Sequence, residues 1–207
     1  MRKWIGIHVL FVLVSFLVYR EGITVQGPDL IWNMFLALVA YNAAFFANRL
    51  RQKWLYLAFG VIWFLFYPNT FYMVTDLIHM DWVSKTLWDR QSLHLFVAFV
   101  LSIFFGVMCG VESWRLMIKR SKLAWWIEDG LMIGLSFLSS LAIYIGRYDR
   151  LNSWDVLHRP LIVLEKLLAA LERERWYFVL GFTLLQVMVL LFVNENEEKS
   201  KKGNHLS

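Results

Sequence analysis

The sequence predicts an all-α integral membrane protein: a six-helix transmembrane bundle with a broken third helix and an amphipathic helix on its outer surface. Three observations predict it. Apolar residues make up 59% of the chain and the mean hydropathy is +0.52, against about 45–50% apolar in soluble domains. Six windows contain no Asp, Glu, Lys or Arg: 4–19, 30–48, 54–75, 92–111, 130–146 and 176–193. The basic residues gather in short segments between those windows.

A helix needs roughly 17–25 residues to cross the hydrocarbon core, and all windows but the first reach that length. The predicted spans are 4–19, 30–48, 54–67, 92–111, 126–145 and 176–193, in a single domain over 1–193. The first span follows Met1-Arg2-Lys3 but lacks a small-x-small cleavage pattern, so it reads as a retained helix. The third is interrupted: Pro68 removes an amide donor and disfavours a helical residue before it. Apolar residues resume at Phe71, so a new short helix over 70–79, capped by Asn69 or Thr70, is expected. A broken helix at membrane depth survives only where protein or a wet cavity satisfies the freed backbone groups, which predicts a cavity near Pro68. After the fifth span, 146–159 is polar and turn-forming. From Pro160, Leu161, Leu164, Leu168 and Leu171 have helical spacing, the pattern of a helix lying on the surface. Residues 194–207 are polar and free of aromatics, a disordered cytoplasmic tail.

Loop charge sets the orientation. With the N-terminus inside, the inner segments hold Arg2, Lys3, Arg49, Arg51, Lys53, Arg115, Lys119, Arg120, Lys122, Lys199, Lys201 and Lys202, twelve of the 21 basic residues. The first two outer loops carry only Arg20, Lys85 and Arg90. Both termini are therefore expected in the cytoplasm, in a multi-pass protein of the cell membrane. Trp4, Trp54, Trp125 and Trp126 at inner boundaries, and Tyr19, Trp32, Tyr67, Tyr144 and Trp176 at outer ones, fit interfacial belts. The net charge of +5 and pI near 9.4 need no nucleic acid, because these cations flank helices where anionic headgroups attract them. Cys109 stands alone, which excludes an intrachain disulfide and a thiolate metal cage.

This topology puts two polar stretches on the outer face. In the first, Asn69, Thr75, Asp76 and His79 are candidate ligand-binding residues, with Asp81 as an extension. Asp76 and His79 are three apart and share a helical face. A carboxylate and an imidazole so placed can hold a divalent metal or do acid–base work, or belong to an ion-pair network. In the second stretch, Arg147 and Arg150 are three apart if helical, with Asp149 between them. Paired guanidiniums suit phosphate or carboxylate recognition; the bland alternative is a salt bridge to Asp76 or Asp155. Asn152-Ser153-Trp154-Asp155 reads as a turn whose side chains bond the backbone, and Asn152 and Asp155 complete the candidate set. His94, Asp149 and His158 are further possible ligands. The middle of the bundle offers only Asn33, Asn42, Ser102, Ser136, Ser139 and Ser140, which argues against a proton relay. Nothing matches a P-loop, a His-Glu-x-x-His helix or a Gly-x-Ser-x-Gly elbow.

Two strings carry a family resemblance: Tyr67-Pro68-Asn69-Thr70-Phe71-Tyr72-Met73-Val74-Thr75-Asp76-Leu77-Ile78-His79, and Gly146-Arg147-Tyr148-Asp149-Arg150-Leu151-Asn152-Ser153-Trp154-Asp155. The chain resembles the bacterial membrane family DUF1361, whose pattern looks like Leu-Pro-Asn, then Thr-Asp-x-x-His, and later Gly-Arg-x-x-Arg-x-Asn-Ser-Trp-Asp. Tyr67 departs from it before Pro68. The resemblance implies a multi-pass bacterial inner-membrane protein and brings no activity with it. Three functions stay open: an outward-facing polar pocket for an anionic lipid or envelope precursor; a metal-dependent hydrolase or transferase at the outer leaflet; and a non-catalytic assembly or helper subunit.

Overall fold

The structure is a computed structural model that describes residues 1–23, 29–82, 89–121, 123–172 and 175–203, with backbone alone for 81–82, 121 and 194–203. Lys85, Lys122 and Arg173 lie outside the described residues. The described chain is helical without strands. In order it forms α1 (Arg2–Arg20), α2 (Leu30–Arg49), α3 (Lys53–Phe66), α4 (Pro68–Tyr72), a 3-10 helix (Met73–Trp82), α5 (Arg90–Ser121), α6 (Trp125–Tyr148), α7 (Asp155–His158), α8 (Pro160–Ala169) and α9 (Trp176–Gly203). Six helical runs are long and apolar enough to span a membrane: α1, α2, Lys53–Met80, Arg90–Arg120 of α5, α6 and Trp176–Val193 of α9. The chain is thus an all-α membrane bundle, as its apolar windows predict. The segment expected as a tail is helical backbone as far as Gly203; its Glu and Lys residues are good helix formers. Residues 204–207 lie outside the described residues.

The packing divides into two compact units, Met1–Met117 and Ile118–Ser207, a division that no composition shift announces. In the first, α2 packs on α1, α3, α4 and the 3-10 helix. Its buried face is rich in small residues, Ala37, Ala40, Ala43, Ala44 and Ala47, which let helix backbones approach closely. Val14, Val18, Met34, Tyr41, Met73, Phe99 and Ile103 are among the core side chains. Gly22, at φ 69°, ends α1: its amide donates to Tyr19 O at 3.1 Å in a left-handed cap. At the start of α2, the Asp29 carboxylate accepts from Trp32 N at 2.9 Å.

Pro68 does not stop the third span. It occupies the first position of α4, where its missing amide is tolerated, and the helical path continues. No new helix starts at 70, and neither Asn69 nor Thr70 acts as an N-cap. Both side chains reach backwards instead. Asn69 Nδ2 donates to Phe66 O at 3.1 Å, and Thr70 Oγ1 donates to Tyr67 O at 2.7 Å. These side chains brace the turn that holds Pro68 rather than supply its missing amide, and Tyr67 O also accepts from Thr70 N at 3.0 Å. The expected cavity near Pro68 is not what satisfies these carbonyls: Tyr67, Thr70, Phe71 and Met73 are fully buried.

In the second unit, α6 packs along α9, and α8 lies against α6. Leu141, Ile145, Val163, Ala170 and Val179 form its core. A polar seam runs beside them. The Gln186 amide donates to Ser140 Oγ at 2.8 Å, and Thr183 Oγ1 lies 3.2 Å from the same oxygen. On α8, Val163 is buried while Leu161, Leu164 and Leu168 face outward, the arrangement of a helix lying at an apolar surface.

Candidate functional site

The two polar stretches fall in different units, and each has its own geometry. In the first unit, Asp76 sits on the 3-10 helix with no exposed surface. Asn33, in the first turn of α2, donates from Nδ2 to Asp76 Oδ2 at 3.0 Å, and Asp76 has further interactions as well. A buried carboxylate is costly unless it is hydrogen-bonded, so this bond offsets the cost of burying Asp76. Side chains three apart eclipse on a 3-10 helix, so Asp76 and half-buried His79 share a face more closely than an α-helix would allow. Thr75 Oγ1 donates back to Tyr72 O at 2.7 Å. Asn69 and Thr75, expected to shape a ligand pocket, therefore both brace the backbone. The Asp81 side chain lies outside the described residues. Among the described residues no group of three His, Cys, Asp or Glu gathers as a metal cage.

The seat for this stretch is a feature the sequence reading missed. Gly106 and Gly110 on α5 face Thr70, Phe71 and Met73. A Cβ on Gly110 would stand 2.5 Å from Thr70 Oγ1 and 2.9 Å from Phe71 Cε2; one on Gly106 would stand 2.6 Å from Met73 Sδ. Their Gly-x-x-x-Gly spacing is a visible signal for close helix packing. One turn on, Ser113 Oγ accepts from Trp63 Nε1 at 3.0 Å, tying α3 to the same helix. His8, also missed, joins a small chain: Trp4 Nε1 donates to Asn42 Oδ1 at 2.7 Å, and Asn42 Nδ2 lies 3.1 Å from His8 Nε2.

In the second unit, α6 ends at Tyr148, so Arg147 and Arg150 do not share a helical face. Asp149 caps the helix, and Arg150 adopts φ 57°, a left-handed conformation costing roughly 1–2 kcal/mol for a residue with a Cβ. The turn it makes sends Leu151 back onto the core beside Ile145. The acids nearby are engaged. Asp149 Oδ1 pairs with Lys166 at 3.0 Å. Asp155 Oδ2 accepts from Asn152 N at 2.7 Å, while Asp155 N donates to Asn152 O at 2.9 Å. This reciprocal closure is a turn in which a side chain bonds the backbone, as the sequence predicts, and it leads into α7 at Asp155. Arg147 is half-buried and has partners of its own. Arg150 is exposed, and among the described residues it pairs with no carboxylate. His158 is exposed on α7.

No curated protein and no solved structure matches the chain. A family model does match it, over residues 32–189, a region that holds Asn33, Asp76, the glycine seat and the whole Arg150 turn. The chain belongs to the family described as Protein of unknown function (DUF1361).

Proposed function

We propose that this is a bacterial cell-membrane protein, with both termini cytoplasmic, that binds an anionic lipid or envelope precursor at an outward-facing polar site. Arg150 is the principal contact and Arg147 adds charge beside it. One observation carries the reading: Arg150 presents an exposed guanidinium from a left-handed turn, while Asp149 and Asp155 are occupied elsewhere. Phosphate and carboxylate oxygens accept the guanidinium fork bidentately. The partial negative charge at the end of α6 stabilises arginines there by about 0.3–1 kcal/mol, which holds them without using up their donors. The loop charges support the orientation.

The test is Arg150→Gly. Glycine accepts φ 57° without strain, so this variant keeps or gains about 1 kcal/mol of stability while losing the charge. A thermal-shift series with anionic lipid vesicles or lipid-phosphate analogues is the readout. A ligand at a hundred times its Kd stabilises by about 2.7 kcal/mol, and that shift should vanish in the variant. An undiminished shift would remove Arg150 from the site.

A second reading, a metal-dependent hydrolase or transferase, draws on the shared face of Asp76 and His79. Its test is divalent metal retained by gently purified protein and lost on His79→Ala. A helper subunit without chemistry would instead show stability and phenotype falling together in Asp76→Asn and Arg147→Gln.

A further inference from the structure

A groove in the first unit, between the end of α1 and the first turns of α5, is lined by no residue of either polar stretch. It encloses a cavity of about 250 Å³, near the lower end of small-molecule sites. Arg20, Glu21 and His94 stand at the helix ends, and Leu17, Val97 and Ala98 lie one turn further in. The surface alongside is apolar, with Leu13 and Phe16 of α1 and Leu93 and Val97 of α5 exposed. A groove of this texture opens towards lipid chains.

Glu21 is its unusual member. The side chain is only 16% exposed, yet its basic neighbours stand off, Arg20 Nε at 3.7 Å and His94 Nδ1 at 3.8 Å. Both distances exceed hydrogen-bond length. Among the described residues no protein donor reaches this carboxylate, and its oxygens are not sealed from the surface, so a donor from outside can reach them. The Arg20 guanidinium attracts it without satisfying its lone pairs, which leaves a place for an N–H donor.

We propose that the groove binds a phospholipid whose headgroup carries a primary ammonium. The ammonium donates to Glu21, the phosphate meets Arg20 and His94, and the start of an acyl chain lies over Leu17, Val97 and Ala98. A guanidinium beside a carboxylate, with the His94 ring as a further hydrogen-bonding group, matches a zwitterion. A purely anionic headgroup has no positive charge to offset Glu21, so its phosphate adds a second negative charge to the groove. A choline headgroup would bring charge but no N–H. The site is independent of the Arg150 turn.

The experiment titrates detergent-purified full-length protein with short-chain phosphatidylethanolamine, phosphatidylcholine and phosphatidylglycerol, read by calorimetry. The ethanolamine lipid should bind about tenfold more tightly than the other two, a difference of about 1.4 kcal/mol. Glu21→Gln should erase that preference. Val97→Trp, which fills the groove from an exposed position, should abolish binding of all three, and it carries the test if Glu21→Gln does not fold. Arg150→Gly should change nothing here. Equal affinities, a preference for phosphatidylglycerol, a preference that survives Glu21→Gln, or tight binding by Val97→Trp would each overturn the proposal.

Discussion

Residues 68–82 in the first unit and 146–159 in the second are made of similar material: each follows an apolar run and carries Asp, Asn, His and aromatic side chains. Their fates differ. The first is folded inward, with Thr70, Phe71, Met73 and Asp76 buried against α2 and α5. The second turns outward at Arg150 and exposes Arg150, Asn152, Trp154 and His158. The inward stretch satisfies its polar groups internally, through Asn69, Thr70 and Thr75 to its own backbone and through Asn33 to Asp76. The outward stretch closes its acids locally and leaves a guanidinium presented. Burial turns polar residues into architecture, whereas an exposed turn keeps them for partners.

The comparison breaks first at the seat. Gly110→Leu should cost about 3 kcal/mol, the upper range for overpacking, because the new side chain displaces Thr70 and with it the Thr70–Tyr67 bond. Thermal unfolding in detergent would show it, and a near-normal midpoint would mean that the inward stretch is not held by α5. Asp76→Leu comes next. It strands the Asn33 donor and should cost about 1–3 kcal/mol, while Asp76→Asn, which keeps an acceptor, should cost less than half as much. Equal losses would show that the charge of Asp76, not its hydrogen bonding, matters. The smallest effect belongs to the outward turn. Lys166→Met removes a pair to Asp149 that is 40% and 22% exposed, and screening limits the loss to about 0.2–1 kcal/mol. A larger loss would make that turn as structural as the buried one.

The interruption at Pro68 was legible, but the bracing around it was not. Reading Asn69 or Thr70 as an N-cap follows from local preference, since both residues favour helix starts. What decided otherwise is the backward geometry, with acceptor carbonyls one turn behind and a close neighbour in α5. Arg147 and Arg150 show the same limit. Their spacing suggests one face only while the helix continues, and its end at Tyr148 removes that face. The Asn152–Asp155 turn was legible because both its partners lie within four residues.

The sequence by itself determined the all-α class, the six apolar runs, the proline break and the short turn, because helical hydrogen bonds and hydrophobic length are properties of neighbouring residues. Only the tertiary structure decided that Asp76 meets Asn33, that Gly106 and Gly110 seat the segment after Pro68, and that Glu21 lies beside His94 with no close donor among the described residues. Each of these depends on residues far apart in the chain coming within a few ångströms; a local spacing such as Gly-x-x-x-Gly can mark a packing face, but it does not name the partner that fills it.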